Sequence, residues 1–156
     1  MSNLRLTAGD KAPEFSLRDS SGKTVSSKDL RGKKFVIYFY PADDTPGCTK
    51  EACQFTDLWA DFRKLKVPVL GVSPDDLDSH KRFISKYGLS IVLLSDPKLT
   101  TMKKYGAWGE KTMYGKKVLG VIRSTFLVSG DGKVLRAWYN VRADGHAQKV
   151  LEELVG

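Results

Sequence analysis

The stretch that decides the fold begins with Lys34-Phe-Val-Ile-Tyr-Phe-Tyr40 and continues through Pro41-Ala-Asp-Asp-Thr45 into Pro46-Gly-Cys-Thr-Lys-Glu-Ala-Cys53. Its first part is short, apolar and rich in β-branched and aromatic residues, which predicts a buried strand. Beyond it, apolar residues recur at helical spacing, which predicts a helix over residues 49–66 with one buried face. The chain therefore passes from a buried strand through a short polar loop into a helix, as in layered α/β proteins.

The loop ends in a helix-start signal, Thr45-Pro46, with threonine as N-cap and proline at the first helical position. Cys48 then falls in the first turn of a helix that leaves the carboxyl end of a strand. Backbone N–H groups have no intrahelical partner there, and the helix dipole favours negative charge. A thiol at this position is held more easily as the reactive thiolate.

Cys53, the second of the two cysteines, lies five residues further along the same predicted helix. That spacing places the two Cα atoms about 8.6 Å apart in an intact helix, whereas a disulfide requires them within about 7 Å. If the pair cycles between thiol and disulfide, the first helical turns must therefore unfold each time. The spacing also differs from the C-x-x-C of a thioredoxin active site.

Composition fits one domain over residues 1–156, with a substantial core. No run approaches the roughly 20 apolar residues of a membrane span, and Met1–Asp10 lacks the apolar segment of a secretory signal. We therefore expect a cytoplasmic protein without membrane association. In that compartment, thiols stay reduced unless they are catalytic or sensing.

A net charge of +8, from 26 basic and 18 acidic residues, raises the alternative of a nucleic-acid-associated protein with incidental cysteines. The lysines, however, are spread along the chain in pairs such as Lys33-Lys34, Lys103-Lys104 and Lys116-Lys117. No basic block or nucleic-acid-binding motif is present. The charge is therefore interpreted as solvated surface that could favour an acidic protein partner, and no nucleic acid is expected.

The remaining sequence alternates strand and helix patterns around the cysteine segment. It predicts an N-terminal hairpin, a Ser129–Gly132 turn between two late strands, and a loop over residues 107–120 that carries Trp108. Further strands are predicted at 67–72, 91–94, 121–128 and 134–139, and further helices at 73–87, 96–106 and 143–155. This order predicts an α/β fold with a mixed central sheet flanked by helices.

Pro41-x-x-x-Thr45-x-x-Cys48 resembles the peroxiredoxin active-site motif, and the segment as far as Cys53 is similar to the bacterioferritin comigratory protein (peroxiredoxin Q) subfamily. The resemblance covers nearly the whole chain. It also rests on Gly9-Asp-Lys-Ala-Pro-Glu-Phe-Ser-Leu17, Met113-Tyr-Gly-Lys-Lys117 and Gly120-Val-Ile-Arg-Ser-Thr-Phe126. It implies a thioredoxin-like fold and a thiol-dependent peroxidase that needs no cofactor.

The chemistry requires more than the helix start. A free thiol has a pKa of about 8.5, so only a few per cent is thiolate at pH 7, and a helix terminus typically contributes only about 0.3–1 kcal/mol. A nearby cation is therefore expected. Arg123, at the start of a predicted core strand, is the candidate, and the family likewise has an active-site arginine in the matching G-x-x-R-S/T segment.

The resemblance assigns further roles. Thr45 orients the peroxide through its hydroxyl, which could alternatively cap the helix. Pro41 shields the pocket from water, and Glu51 supports the site structurally or catalytically. Cys53 resolves the oxidised Cys48 as an intramolecular disulfide, unless a foreign thiol does so. The implied reductant is thioredoxin or a similar dithiol, and the implied enzyme is a monomer. A peroxide sensor using the same cysteines is the alternative function.

His80 and His146 raise the question of a zinc site. Together with C-x₄-C they lack the ligand spacing of known zinc sites, so no metal is expected. Both histidines are predicted to be exposed residues of helices.

Overall fold

A computed structural model describes residues 5–156; residues 1–4, which belong to the N-terminal segment considered above, lie outside the described part. The described chain contains nine strands, five α-helices and a 3₁₀ helix at Ser27–Leu30. The strands are β1 (Ser16–Asp19), β2 (Thr24–Ser26), β3 (Phe35–Phe39), β4 (Val69–Ser73), β5 (Val92–Ser95), β6 (Trp108–Met113), β7 (Lys116–Val121), β8 (Ser124–Val128) and β9 (Val134–Trp138). The α-helices are α1 (Pro46–Asp57), α2 (Trp59–Lys64), α3 (Leu77–Tyr87), α4 (Thr100–Lys104) and α5 (His146–Val155).

Seven strands form one sheet in the order β2-β1-β5-β4-β3-β8-β9. Pairs β3–β4 and β4–β5 are parallel, and the other neighbours are antiparallel. The predicted mixed α/β sheet, the N-terminal hairpin β1–β2 and the late hairpin β8–β9 are therefore confirmed. Strand β3 lies near the centre, so its carboxyl end delivers the cysteine segment to the middle of the sheet edge.

Strand β3 is apolar throughout because both of its faces are covered, and all five of its residues are buried. Val36 and Tyr38 point toward the cluster that includes Phe55 of α1, while Ile37 and Phe39 point toward the cluster on the opposite face. This alternation follows from the two-residue period of a strand. Burial of α1 against β3 fixes the place where Cys48 emerges.

The helix predicted over residues 49–66 is divided at Leu58, whose backbone (φ −96°, ψ 6°) departs from helical geometry. Helix α2 follows at once and carries the buried Phe62, whose ring lies 5.9 Å from that of Phe55. The apolar spacing predicts the helical conformation on both sides of Leu58, but it does not reveal the interruption between α1 and α2.

The prediction of a loop over residues 107–120 was wrong, because β6 and β7 form a two-stranded hairpin there. Its turn, Tyr114-Gly115, has positive φ at both positions (52° and 78°), as tight hairpin turns of type I′ require. Much of the hairpin is exposed, and Tyr114 is 99% accessible. Without a buried face, the strands have no apolar alternation to detect. Trp108, predicted in a loop, is a partly buried strand residue.

Several element boundaries also differ. The predicted strand 121–128 is interrupted at residues 122–123, so Arg123 directly precedes β8. Helix α3 is capped by Asp76, whose carboxylate accepts from the Ser79 N–H, and not by Ser73. The predicted helix 96–106 is reduced to α4, and the terminal helix begins at His146.

In residues 5–156, no helix combines the length and the apolar character that a bilayer crossing needs.

Candidate active site

Cys48 lies in the first turn of α1, directly beyond the carboxyl end of β3, and its side chain is only 2% accessible. Thr45 occupies the N-cap position with extended backbone, and Pro46 is the first helical residue. The predicted helix start is confirmed. The thiol therefore faces the unpaired N–H groups and the positive end of the helix dipole.

Arg123 joins Cys48 to Glu51 through the two arms of its guanidinium group. Its Nη2 lies 3.3 Å from the Cys48 Sγ, and its Nη1 donates to the Glu51 Oε1 at 2.7 Å. Its position in the fold explains this reach, because the residue after it, Ser124, pairs with Phe39 at the end of β3. The structure therefore brings the predicted cation into direct contact with the predicted nucleophile.

Gly47 makes the close approach of this guanidinium possible. A Cβ at this position would lie 3.2 Å from the Arg123 Nη2, tighter than ordinary van der Waals contact. The glycine before Cys48 thus has a packing reason that the sequence pattern did not show.

Glu51, one turn after Cys48, is completely buried. Its Oε2 has no hydrogen-bond partner within residues 5–156. Burial raises its pKa to about 7, although the charge of Arg123 and the hydrogen bond from it act in the opposite direction. Near neutral pH this carboxyl is therefore divided between its charged and neutral forms, and the positive charge of Arg123 is only partly neutralised.

Tyr38 is a member of this site that sequence reasoning missed. Its ring stacks on Phe55 with centroids 4.9 Å apart, and its buried hydroxyl has no partner in the described chain. Its pKa is raised well above the usual value by burial, and further by the negative charges of Glu51 and Cys48. The signal available in the sequence was a tyrosine inside the apolar run, which contains one other tyrosine, Tyr40, at its end. The phenol of Tyr38 remains neutral.

Thr45 does not cap the helix with its side chain. Its hydroxyl donates to the Ala42 carbonyl at 2.8 Å, while its own carbonyl accepts from the Thr49 N–H. The alternative capping role of the hydroxyl is therefore not observed. Because the only hydroxyl proton is engaged, the oxygen lone pairs face outward as acceptors. Pro41 is half-buried at the start of the same loop.

Lys111 adds a second cation near Cys48 that the sequence did not suggest, because it falls in the segment predicted as a loop. Its ammonium group donates to the Val121 carbonyl at 2.8 Å, beside the Arg123 segment. Burial lowers its pKa, the charge of Arg123 lowers it further, and the Cys48 thiolate acts in the opposite direction. The electrostatic coupling places this lysine in the field of the site.

Cys53 is half-buried, and both cysteines are free thiols. They occupy the same intact helix and are not at disulfide distance, so the predicted barrier to a bond in the folded helix is confirmed. Partial burial raises the pKa of the Cys53 thiol, and the negative charge of Asp57 raises it further.

The prediction that both histidines are exposed was wrong. His80 has no accessible surface and contacts Asp43 and the Leu94 carbonyl. His146 is 4% accessible, and its Nε2 lies 2.9 Å from the Thr125 hydroxyl. Burial lowers its pKa to about 4, with the positive charges of Lys149 and Arg123 acting in the same direction, so this imidazole is neutral. Polar partners distant in the sequence allow these rings to be buried.

Within residues 5–156, no three histidine, cysteine or acidic side chains are grouped so that they could hold a metal ion. The sulfur of Cys48 lies in contact with one guanidinium group, at the start of a helix and one turn before a buried carboxyl group. Such a site can hold a thiolate and stabilise the charge that moves from sulfur to an attacked oxygen.

Residues 8–137 match the model of the AhpC/TSA family. A Mycobacterium tuberculosis protein named as a peroxiredoxin is 51% identical over 150 residues, which cover 96% of each chain. Peroxiredoxin Bcp of Escherichia coli is 40% identical over 149 residues, again 96% of each chain.

Solved structures agree with these relatives. A mutant of Xylella fastidiosa PrxQ superimposes with a TM-score of 0.91 at 35% identity, covering 97% of each chain. The bacterioferritin comigratory protein of Xanthomonas campestris, described for its alkyl peroxide reduction activity, gives 0.85 at 42% identity over 90% of each chain. The predicted thioredoxin-like fold is therefore confirmed.

Proposed function

Because the chain belongs to the AhpC/TSA family and is a peroxiredoxin, a thiol-dependent peroxidase, we propose that Cys48 is the residue that reduces hydroperoxides. We further propose that Cys53 converts the oxidised Cys48 to a disulfide. The observation that carries the proposal is the 3.3 Å contact between the Cys48 Sγ and the Arg123 guanidinium at the start of α1. A thiol at a helix N-terminus and in contact with a cation has the electropositive environment of a reactive cysteine.

In the first step the Cys48 thiolate attacks the terminal oxygen of a hydroperoxide. A sulfur–oxygen bond forms as the oxygen–oxygen bond breaks, and the remaining oxygen takes up a proton from solvent and leaves as water or an alcohol. Cysteine is oxidised to sulfenic acid, and the peroxide is reduced. Arg123 stabilises the thiolate before the attack and the charge on the oxygens during it.

Thr45 and Pro41 prepare the place where the peroxide binds. The Thr45 hydroxyl donates its O–H to the Ala42 carbonyl, so its oxygen can accept a hydrogen bond from the peroxide O–H. Pro41, half-buried beside this loop, limits access of water to the sulfur. Glu51 holds the second arm of Arg123 and so keeps the first arm on the sulfur.

In the second step the first turns of α1 unfold, and the Cys53 thiolate attacks the sulfenic sulfur. A disulfide forms, and the sulfenic oxygen leaves as water. The spacing within α1 requires this unfolding, because the two sulfurs do not meet while the helix is intact.

In the third step an external dithiol reduces the disulfide by exchange, and thioredoxin is the proposed reductant. Both reacting cysteines belong to one chain, which supports action as a monomer, because no second copy must supply a thiol. Two free thiols also fit a reducing compartment, and we propose the cytoplasm.

Mass spectrometry after one equivalent of hydrogen peroxide tests the mechanism. The expected product is lighter by two hydrogens, and its digest contains a disulfide that joins the peptide with Cys48 to the peptide with Cys53. A chain that stops at sulfenic acid, or that links only to added thiols, would contradict resolution by Cys53. Steady-state peroxide consumption with thioredoxin and its reductase tests recycling. One round of oxidation with no continued consumption of peroxide would favour a peroxide sensor.

A further inference from the structure

The loop between β3 and α1 is attached to the rest of the molecule by a buried carboxylate, Asp43, whose side chain is only 3% accessible. Its Oδ1 accepts from the Tyr40 hydroxyl at 2.5 Å, and its Oδ2 accepts from the Ser79 hydroxyl at 2.8 Å. The His80 Nδ1 lies 2.7 Å from the same Oδ2. We call Asp43, Tyr40, Ser79 and His80 the Asp43 anchor.

The hydrogen bonds of the anchor use both nitrogens of the His80 ring. The His80 Nε2 lies 3.0 Å from the Leu94 carbonyl, which can only accept, so this nitrogen carries a proton. The opposite nitrogen faces a carboxylate that already accepts from two hydroxyl groups. Asp43 and His80 thus form a buried hydrogen-bonded pair, with the Nδ1 and Oδ2 atoms 2.7 Å apart and with the His80 and Asp43 side chains 0% and 3% accessible.

The anchor ties three elements to the active-site loop. Ser79 and His80 belong to α3, and the Leu94 carbonyl belongs to β5. The backbone N–H of Asp43 also donates to the Asp75 carboxylate at 2.8 Å. Asp43 lies two residues before Thr45 and five before Cys48, so its attachment sets the position of the loop that enters α1.

We propose that the Asp43 anchor holds the active-site loop and the first turn of α1 in the peroxide-reactive conformation, and that its strength sets how readily Cys48 leaves that conformation for Cys53. The inference rests on the proposed function, because it concerns the passage between the two steps. Asp43 and His80 act as positioning residues, since they reach Cys48 only through the loop.

The opposed demands of the two steps explain why an anchor of this kind has kinetic consequences. Attack on the peroxide requires a folded site, whereas resolution requires α1 to unfold from its first turn. A stronger attachment favours the first step and slows the second. A weaker one does the reverse.

Asp43→Asn tests this, because the amide loses the charge and turns one acceptor into a donor. Peroxide consumption by stopped flow is expected to slow about ten-fold. Disulfide formation, followed by acid quench and mass spectrometry at saturating hydrogen peroxide, is expected to accelerate several-fold. Ser79→Ala removes one hydroxyl donor, so peroxide consumption should slow and disulfide formation should accelerate, each by less than in Asp43→Asn. This variant tests the proposal if Asp43→Asn does not fold.

Asp44→Asn is the matched control. Asp44 lies in the same loop and also contacts α3, through Lys86 at 2.7 Å and Tyr87 at 2.6 Å, but the ion pair is largely exposed. Exposed pairs contribute little, so both rates should stay within about two-fold of the wild type.

Rates in Asp43→Asn or Ser79→Ala that are unchanged, or that both fall, would overturn the anchor. Wild-type protein that forms no Cys48–Cys53 disulfide would instead contradict the proposed function, and the peroxide-reduction rate of the variants would then decide the anchor alone. An equal response of Asp44→Asn would also overturn it, because burial would not distinguish the two aspartates.

Discussion

Cys48 and Cys53 stand on one helix, five residues apart, in opposite surroundings. Cys48 is buried at the helix start against Arg123, whereas Cys53 is half-buried and lies in the field of Asp57. The same side chain is therefore given two chemical characters by position alone. The first position places a cation 3.3 Å from the sulfur, and the second raises the pKa of the thiol by partial burial and by the charge of Asp57.

The largest effect is expected from exchanging either sulfur for oxygen. Cys48→Ser should abolish peroxide consumption, because a serine hydroxyl is not ionised at neutral pH and is a poor nucleophile toward peroxide. Cys53→Ser should retain one rapid turnover per chain and then stop. Stopped-flow measurement of peroxide with each variant distinguishes the two roles, and a burst from Cys48→Ser would reverse the comparison.

Removing the cation should have the next largest effect. Arg123→Ala takes away the charge-assisted contact with Cys48 and leaves the buried Glu51 unpaired, so the second-order rate constant with hydrogen peroxide should fall about 10²–10³-fold. The thiolate fraction, read from absorbance near 240 nm, should fall with it. Arg123→Lys, which keeps the charge but loses the two-armed contact, should be intermediate. A fall of less than ten-fold in the rate constant would show that the helix terminus alone is sufficient to stabilise the Cys48 thiolate.

Glu51 should make stability depend on pH. Its pKa is about 7 in the folded chain against 4.5 as the ordinary value, so between these pH values the folded state binds more protons than the unfolded state. Its contribution to the free energy of unfolding is present below pH 4.5 and lost as pH rises through 7, by on the order of 3 kcal/mol. Urea titrations at pH 5 and pH 7.5 should show this loss in the wild type and a smaller one in Glu51→Gln. Equal pH slopes would contradict it.

The smallest effect is expected beside Cys53. Asp57→Asn removes a negative charge that raises the pKa of that thiol, so more thiolate is available to attack the sulfenic acid. Because Cys53 and Asp57 are accessible to solvent, disulfide formation should accelerate only about two-fold, and less at high salt. Acid-quench kinetics at two ionic strengths measure this. A slower rate in the variant would point to a helix-stabilising role for Asp57.

Much of this arrangement could be predicted from local sequence. Thr45-Pro46 located the helix start, the apolar run before Pro41 located β3, and the cysteine spacing predicted two sulfurs that do not meet in the folded helix. Each of these features depends on neighbours within a few residues. The contact of Arg123 with Cys48 spans 75 residues; the charged residue at the start of a predicted core strand made Arg123 the candidate, and the resemblance to a family supported it.

The failures share a different cause. His80 was expected on the surface because its partner, Asp43, lies 37 residues away. The hairpin over residues 108–121 was read as a loop because its strands are stabilised by pairing with each other and bury little apolar surface. Tyr38 and Lys111 were overlooked because their electrostatic coupling to Cys48 arises only when the central sheet and the β6–β7 hairpin are folded.

The interruption at Leu58 has a consequence for selectivity among thiols. Helix α2 begins immediately after it and is held by the buried Phe62, so fraying that starts at Pro46 ends within α1. Cys53 thus remains on a tether of five residues from Cys48, and such short tethers give effective concentrations in the millimolar range. In the proposed mechanism, Cys53 is therefore expected to outcompete a dilute thiol in solution for the sulfenic acid, without needing to be the more reactive of the two.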